Sequence, residues 1–373
     1  MSTLMQVNRQ WSTRPADQRF VSLLDLQTKA RAERDNSISS VVSTRDLKVI
    51  PHPADPIKGI TIEGKNGLYD PTHFSFGQVA SLAKAPAGYL RSLPAPIVAD
   101  AMNYGLRFGR DAEEVGVLRT KTSYEGEDGA VVEHVELRAA TGPRYGRIWN
   151  AEIVDSLVDR FGDGINGQFR VPGEFGKAVP ITKSNTTIYG SDRDIFVFLA
   201  DEENRIGMDN RRDGKPGSLA RGFFVWNSEV GASTMGIAMF LFDYVCQNRI
   251  VWGVKEFKEV RLRHTAAAPD RWLEEVTPIL QAYSASSAAP IEETIKIAQQ
   301  KRVDDDLEAF LKNRFTASES TAIKLAHERE EGRPIESLWD ATTAVTAYAK
   351  TIRNQDDRVA MERRGGALLD LAL

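Results

Sequence analysis

The chain has 373 residues, of which 42% are apolar and 27% charged, a composition that suits one large globular domain or two ordinary ones. Lys and Arg number 48 against 52 Asp and Glu, a net charge of −4. That balance excludes a protein coated in basic charge for duplex DNA but leaves space for a local basic groove.

A single cysteine, Cys246, rules out an internal disulfide framework, fits a reducing cytosol and reads as a small core residue. No window has the uncharged apolar length of a membrane span, and the polar start of the chain lacks a signal-peptide core. The expected location is the cytoplasm, with no membrane partner.

In chain order, Val21 to Asp35 reads as a short amphipathic helix with Leu23, Leu24 and Leu26 on its apolar side. Ser39 to Ile50 and Gly59 to Glu63 read as strands. From Thr72 onward, Phe74, Phe76, Val79 and Leu82 recur at helical spacing. Pro86, Pro94 and Pro96 break the region that follows into short helices. Glu114 to Thr122 and Val131 to Ala139 form a hairpin pattern. Asn150 stands before a stripe of Ile153, Val154, Leu157 and Phe161, so it is expected to cap a helix over 151–161. The glycine-rich stretch 162–176 reads as turns.

The most apolar long stretch is 222–265. Asp194 to Leu199 and Phe223 to Trp226 read as strands. Thr234 to Val245 is apolar at both odd and even positions, the pattern of a strand buried on both faces, with a buried helix as the competing reading because the run is long enough for either. Phe257 to Thr265 reads as a further strand. The polar segment between Leu199 and Phe223 reads as a hairpin with a long mobile loop and a basic tip.

After His264 the pattern turns helical, with Trp272, Leu273, Val276, Ile279, Leu280 and Tyr283 at helical spacing, then helices near 291–301, 304–313, 321–331 and 335–353. The tail 363–373 is short and amphipathic. The expected fold is α+β: a central, mainly antiparallel sheet with flanking helices and a helical C-terminal region. The expected division is 1–69 as an N-terminal arm with the first strands, 70–265 as the core, and 266–373 as helices packed on it.

The usual signatures of several enzyme classes are absent. No Walker-type phosphate loop, GxGxxG after a strand or GxSxG elbow occurs. His52, His73, His134, His264 and His327 show no metal-ligand spacing. No cofactor, metal or catalytic residue is therefore expected. A Mg²⁺ nuclease built on Asp192, Asp194, Glu229 and Asp243 is a weaker idea, because such carboxylates also serve as solubilising residues beside strands.

The favoured expectation is nucleic-acid binding of the single-strand binding or annealing type. Backbone contacts would come from Arg211, Arg212, Lys215, Arg221, Arg261 and Arg263, and stacking from Tyr145, Trp149 and Trp226. Single-stranded nucleic acid and a second copy of the chain are the expected partners. The alternative is a non-enzymatic assembly protein or an inhibitor of a host defence complex.

Several segments, in order, resemble a phage- and plasmid-borne family, domain of unknown function 932. They are FSFGQVASLAKAPAGYLRSLP and RYGRIWNAEIVDSL, with Tyr145 and Asn150, then the corner Asn227–Ser228. After these come Cys246, Gln247 and Asn248, the strand end Arg263, His264 and Thr265, and Trp339 to Tyr348. Many members carry His-Asp-Gly after the Asn-Ser corner, where this chain has Glu229, Val230 and Gly231. Chemistry relying on that histidine is not expected here. The resemblance implies an accessory protein of a mobile element.

Overall fold

The computed structural model describes residues 14–109, 111–125, 131–172, 180–211, 215–244, 248–252, 259–352 and 355–373. Arg212, Cys246 and Gln247 lie outside them.

The described chain begins with β1 (Arg19–Phe20) and α1 (Leu23–Asp35). Ser22 caps α1 by accepting from the Asp25 N–H at 3.1 Å, and Leu23, Leu26 and Ala30 are its buried stripe. Four strands follow: β2 (Ser37–Ser43), β3 (Lys48–His52), β4 (Asp55–Gly64) and β5 (Gly67–Pro71). The single strand expected over 39–50 is broken by a 3₁₀ turn, Thr44–Asp46, held by a capping box between Ser43 and Asp46.

Helices α2 (His73–Leu82), α3 (Ala87–Leu90) and α4 (Ala95–Phe108) come next. Pro86 and Pro94 stand directly before α3 and α4, where a fixed φ and a missing N–H do no harm. Strands β6 (Glu114–Glu125) and β7 (Val131–Thr141) complete a six-stranded sheet in the order β2-β6-β7-β5-β4-β3. All its pairings are antiparallel except β5 with β7. One face packs Val49, Ile62, Val117 and Leu137 against Val79, Val98, Met102 and Leu106 of α2 and α4.

Helix α5 (Asn150–Phe161) leads into a larger sheet. Its strands are β1, β8 (Phe169–Arg170), β9 (Ile188–Gly190), β10 (Ile195–Asp201), β11 (Ile206–Arg211), β12 (Lys215–Asn227), β13 (Met235–Asp243), β14 (Asn248–Ile250) and β15 (Val260–Leu262). Strands β10 and β13 are buried at every position, as the two-faced apolar pattern requires.

The C-terminal region is helical: α6 (Ala268–Ala285), α7 (Ala289–Gln300), α8 (Leu307–Lys312), α9 (Ala317–Glu331), α10 (Leu338–Ala349) and α11 (Gln355–Gly366), closed by a 3₁₀ turn Ala367–Ala372. The fold is α+β, as expected.

Three cores flank the large sheet. On one face Val197, Leu199, Phe223, Val225 and Ile237 meet Leu23 and Leu26 of α1, Ile153, Val154 and Leu157 of α5, and Trp272 and Val276 of α6. On the other, Phe196, Phe198, Phe224, Trp226 and Phe240 form an aromatic layer. Toward the other end of the sheet, Leu219 and Leu241, which share the parity of Phe223 and Ile237, pack with Ile250 and with Ile295, Ile323, Trp339 and Val345 of the C-terminal helices.

The structure places two further segments. Residues 14–69 supply strands to both sheets. The hairpin expected between Leu199 and Phe223 forms, and its strands run further toward the tip than expected, because β12 begins eight residues before Phe223 and pairs with β11 through Leu219, Ser218 and Gly217. Among the described residues no helix is long and apolar enough to cross a membrane.

Candidate functional site

The two sheets meet at a polar knot at the end of β12. Asn227 ends that strand, and its side-chain amide donates to the Ile148 carbonyl at 2.9 Å and to the Asn150 side chain at 2.8 Å. Ser228 builds the corner. Its hydroxyl donates to the Arg193 carbonyl at 2.7 Å and accepts from the N–H groups of Val230 and Ala232. Glu229 then points inward and accepts from the Asn150 N–H at 2.7 Å.

That last bond places a carboxylate at the N-terminus of α5, where helix N–H groups and the helix dipole favour negative charge. Asn150 was expected to be the cap. It is instead the first helical residue, Trp149 occupies the cap position without a side-chain bond, and Glu229 supplies the acceptor.

Glu229 is sealed in the knot. Its other oxygen is 3.1 Å from Arg138, which projects from β7 and also donates to the Asp192 carbonyl. Burial pushes the Glu229 carboxyl above the usual range, and Arg138 opposes that shift. Arg147 donates to the Glu229 carbonyl, and its guanidinium lies over the Tyr145 and Trp149 rings. The Tyr145 hydroxyl donates to the Ser228 carbonyl at 2.8 Å, and burial pushes its pKa up.

A second segment locks on from outside. The Gly146 N–H donates to the His264 carbonyl at 3.1 Å, and His264 Nδ1 sits 3.0 Å from the Gly146 carbonyl. A Cβ on Gly146 would lie 1.8 Å from the Thr265 carbonyl oxygen, so only glycine permits this approach. The His264 ring stacks on Tyr145, centroids 4.7 Å apart and planes 20° apart. Burial lowers the His264 pKa, and the Arg147 charge adds to that.

The knot thus gathers Tyr145, Asn150, Asn227, Ser228 and His264. Asn248 is elsewhere: it pairs with Asp243 at the far end of β13. Around the two locked segments, Arg144 and Arg263 are exposed, and Arg261 is half-exposed beside Glu259 and the Trp226 ring. Phe74, Trp149 and Ala232 line a small apolar cluster on Leu118, Ala139 and Val230, with Arg193 over Phe74. Arg144 and Arg147 were not among the expected basic contacts. Their spacing around Tyr145 was the available signal.

The other expected contacts do not gather here. Arg221 is 2% exposed and bonds Asp201 at 3.0 and 3.1 Å, the Tyr283 carbonyl at 2.9 Å and Ser286 at 2.8 Å. This corrects its assignment to nucleic-acid contact, because its donors are spent inside the fold. Trp226 is likewise too buried to stack a base, with Arg261 and Arg363 over its ring. Arg211 and Lys215 face each other at the tip of the β11–β12 hairpin. The thirteen residues of β12 put that tip about 40 Å from the Asn227 corner.

The nuclease set does not assemble either, although Asp192 and Glu229 both meet Arg138. Asp194 is paired with Arg14 at 2.7 Å, Glu229 with Arg138, and Asp243 lies opposite Leu219 at the distant end of the sheet. Among the described residues no group of three or more His, Cys, Asp or Glu is arranged to hold a metal ion. A cleft of about 910 Å³ opens between α5 and α6. Glu152, Asp155, Asp159 and Asp270 line it with Arg160, a wall that repels phosphate.

A family model described as Domain of unknown function (DUF932) matches residues 180–366. The chain belongs to the DUF932 family. The match spans β9 to β15 and the C-terminal helices, so Asn227, Ser228 and His264 lie inside it and Tyr145 and Asn150 outside. In this DUF932 member the two groups of motif residues are joined by direct contacts. No match was found among the curated proteins or among the solved structures.

Proposed function

We propose that this DUF932 protein binds single-stranded nucleic acid at the rim of the polar knot. It would act as a phage- or plasmid-encoded accessory factor in the DNA metabolism of a mobile element, in the host cytoplasm and as a self-associated species. The observation that carries the reading is the lock between residues 144–147 and 261–264. It sets exposed Arg144 and Arg263 beside Arg147, Arg261, the Tyr145–His264 stack and Trp149. Guanidinium groups among half-buried rings suit a backbone that is neutralised by charge while its bases stack. The knot beneath would hold those side chains in place and take no part in chemistry.

Fluorescence anisotropy of labelled single- and double-stranded DNA at low and physiological salt tests this. The expected result is saturable binding, tighter for the single strand and weakened by salt. Replacing Arg144 and Arg263 together by Ala should lower the slope of log affinity against log salt by about 1.4, at about 0.7 per phosphate contact. Absence of binding at micromolar protein and low salt overturns the reading.

A second reading, a non-enzymatic assembly or inhibitory protein, has its own support. Ile97, Tyr104 and Phe108 lie exposed along α4, and such a stripe suits a protein partner. It becomes the better reading if DNA binding is absent.

A further inference from the structure

We propose that β2 is the self-association surface, and that two copies pair through it edge to edge and antiparallel about a two-fold axis at Ser40. The proposal rests on the self-association part of the reading above and is independent of nucleic-acid binding.

Strand β2 ends the order of the smaller sheet, and β6 is its strand partner among the described residues. Its sequence, SISSVVS, has neither charge nor proline. Exposed strand edges are usually guarded by lysine, proline, bulges or brevity, because their unpaired N–H and C=O groups invite another strand. The opposite edge follows that rule. Strand β3 carries Pro51 and Lys48, and Lys48 is ion-paired with Glu63 at 2.9 Å. In the larger sheet the terminal strands β1 and β14 have two and three residues. Strand β2 has seven, and Ile38 and Val41 are each 52% exposed.

The hydrogen-bond parity shows which groups face out. The Asn36 carbonyl accepts from the Lys121 N–H at 3.0 Å, and the Thr44 N–H donates to the Glu113 carbonyl at 2.8 Å. Even-numbered residues therefore bond β6, and Ser37, Ser39, Val41 and Ser43 turn their backbone groups outward. The Ser43 N–H is taken by Asp46.

The strand is also complementary to itself. Turned about Ser40, Ser37 faces Ser43, Ile38 faces Val42 and Ser39 faces Val41 of the second copy. Ser39 and Val41, both outward, would exchange four N–H···O bonds across the axis. Ile38 would close on Val42, a β-branched cross-strand pair of the stabilising kind. Val42 already packs on the core of this sheet, so the pairing extends that core into a continuous twelve-stranded sheet. A slip to either side shortens the overlap.

Sedimentation velocity on the full chain over a range of micromolar concentrations is the test. The wild type should be a dimer. Ser39→Pro removes an outward N–H without touching the bonds to β6. It should weaken the dimer about tenfold or more, because two N–H···O bonds vanish per dimer. Val41→Lys should give a monomer, and mixing it with Val41→Glu should restore a heterodimer. Each variant should keep the wild-type circular dichroism and melting temperature.

Cross-linking reads the register. With Cys246 replaced by Ala, Ser40→Cys should form an intermolecular disulfide on mild oxidation, since facing non-bonded residues lie about 4.5 Å apart. Ser37→Cys should not, because it faces Ser43. A monomeric wild type overturns this proposal and self-association together. A dimer that survives both edge variants and does not cross-link at Ser40 overturns this proposal alone.

Discussion

Arg221 shows how far a charge in the sequence is from a charge on the surface. In the chain it stands in a polar segment with a basic tip, and counting charges makes it look solvated. In the fold it bridges Asp201 on β10 and the C-terminal end of α6. Burial pushes the Asp201 carboxyl up, but bonds from Asn204, Gln168 and Arg221 outweigh that and hold it below the ordinary range. Nothing local encodes that pairing, since the partners are twenty and more than sixty residues apart. Replacing Arg221 by Met leaves Asp201 buried without its cation, and should cost about 3–5 kcal/mol in urea unfolding. The knot begins six strand positions away, at Asn227, so any DNA affinity of the folded variant should stay unchanged. His264 carries the second prediction. Its pKa is lowered by burial, so between that value and about 6.5 the unfolded chain binds a proton that the folded chain does not. Stability must then rise with pH across that window and fall as pH drops below about 6.5. His73 and His327 are lowered in the same direction, mainly by burial. His264→Phe keeps a ring on Tyr145 but cannot titrate. Its urea midpoint between pH 7 and pH 5.5 should fall less steeply than that of the wild type; an equal slope would show that His264 is not the titrating group.

Individual elements were legible where their pattern was periodic and self-contained. The apolar stripe of α5 and the prolines before α3 and α4 identify those elements from local chemistry alone, whereas the two-faced run of β13 suits a buried helix as well as a strand until its neighbours are known. The first half of β12 was hidden because its neighbours, not its own alternation, keep it in the sheet. The existence of two sheets was also hidden, since pairing partners such as β5 and β7 are set by tertiary packing. Glycines in the sheet were the overlooked local signal. Gly236 stands opposite Trp226, and Gly222 opposite Phe240. A Cβ on Gly236 would lie 2.1 Å from the Trp226 ring, and one on Gly222 would lie 2.5 Å from both the Phe240 ring and the Leu199 carbonyl. Each missing side chain lets an aromatic ring lie across the neighbouring strand, which is what makes the aromatic layer dense. Gly236→Ala and Gly222→Ala should each destabilise by at least about 1–3 kcal/mol through overpacking. Gly236→Ala should also shift the tryptophan emission, because Trp226 has to move. A melting temperature unchanged in both variants would mean that the rings have room the structure does not show.

At the scale of the molecule, the family match and the folding unit do not coincide. The DUF932 segment, 180–366, contains most of the larger sheet and nearly all of the C-terminal helices. One face of that sheet is covered by helices from both sides of the boundary. Leu23 and Leu26 come from α1, and Ile153, Val154, Leu157 and Phe161 from α5; of the helices in that core only α6 lies within the match. Burying a large apolar side chain is worth about 1.5–3 kcal/mol. Losing these six and exposing the sheet residues beneath them therefore removes more than the usual net stability of about 5–15 kcal/mol. Glu229 would lose Arg138 and the N-terminus of α5 in the same cut, stranding its carboxylate. A fragment of residues 180–373 should accordingly show no cooperative unfolding transition and should bind a hydrophobic dye, whereas the full chain melts as one unit. Co-expressing residues 1–179 should restore a soluble complex, because the contacts that cross the boundary are apolar and mutually complementary. If the fragment alone melts cooperatively, the sheet tolerates an open face and α1 and α5 are additions to an independent core. In that case the knot, whose Tyr145 and Asn150 also lie outside the match, could be dismantled without unfolding the segment that defines the family.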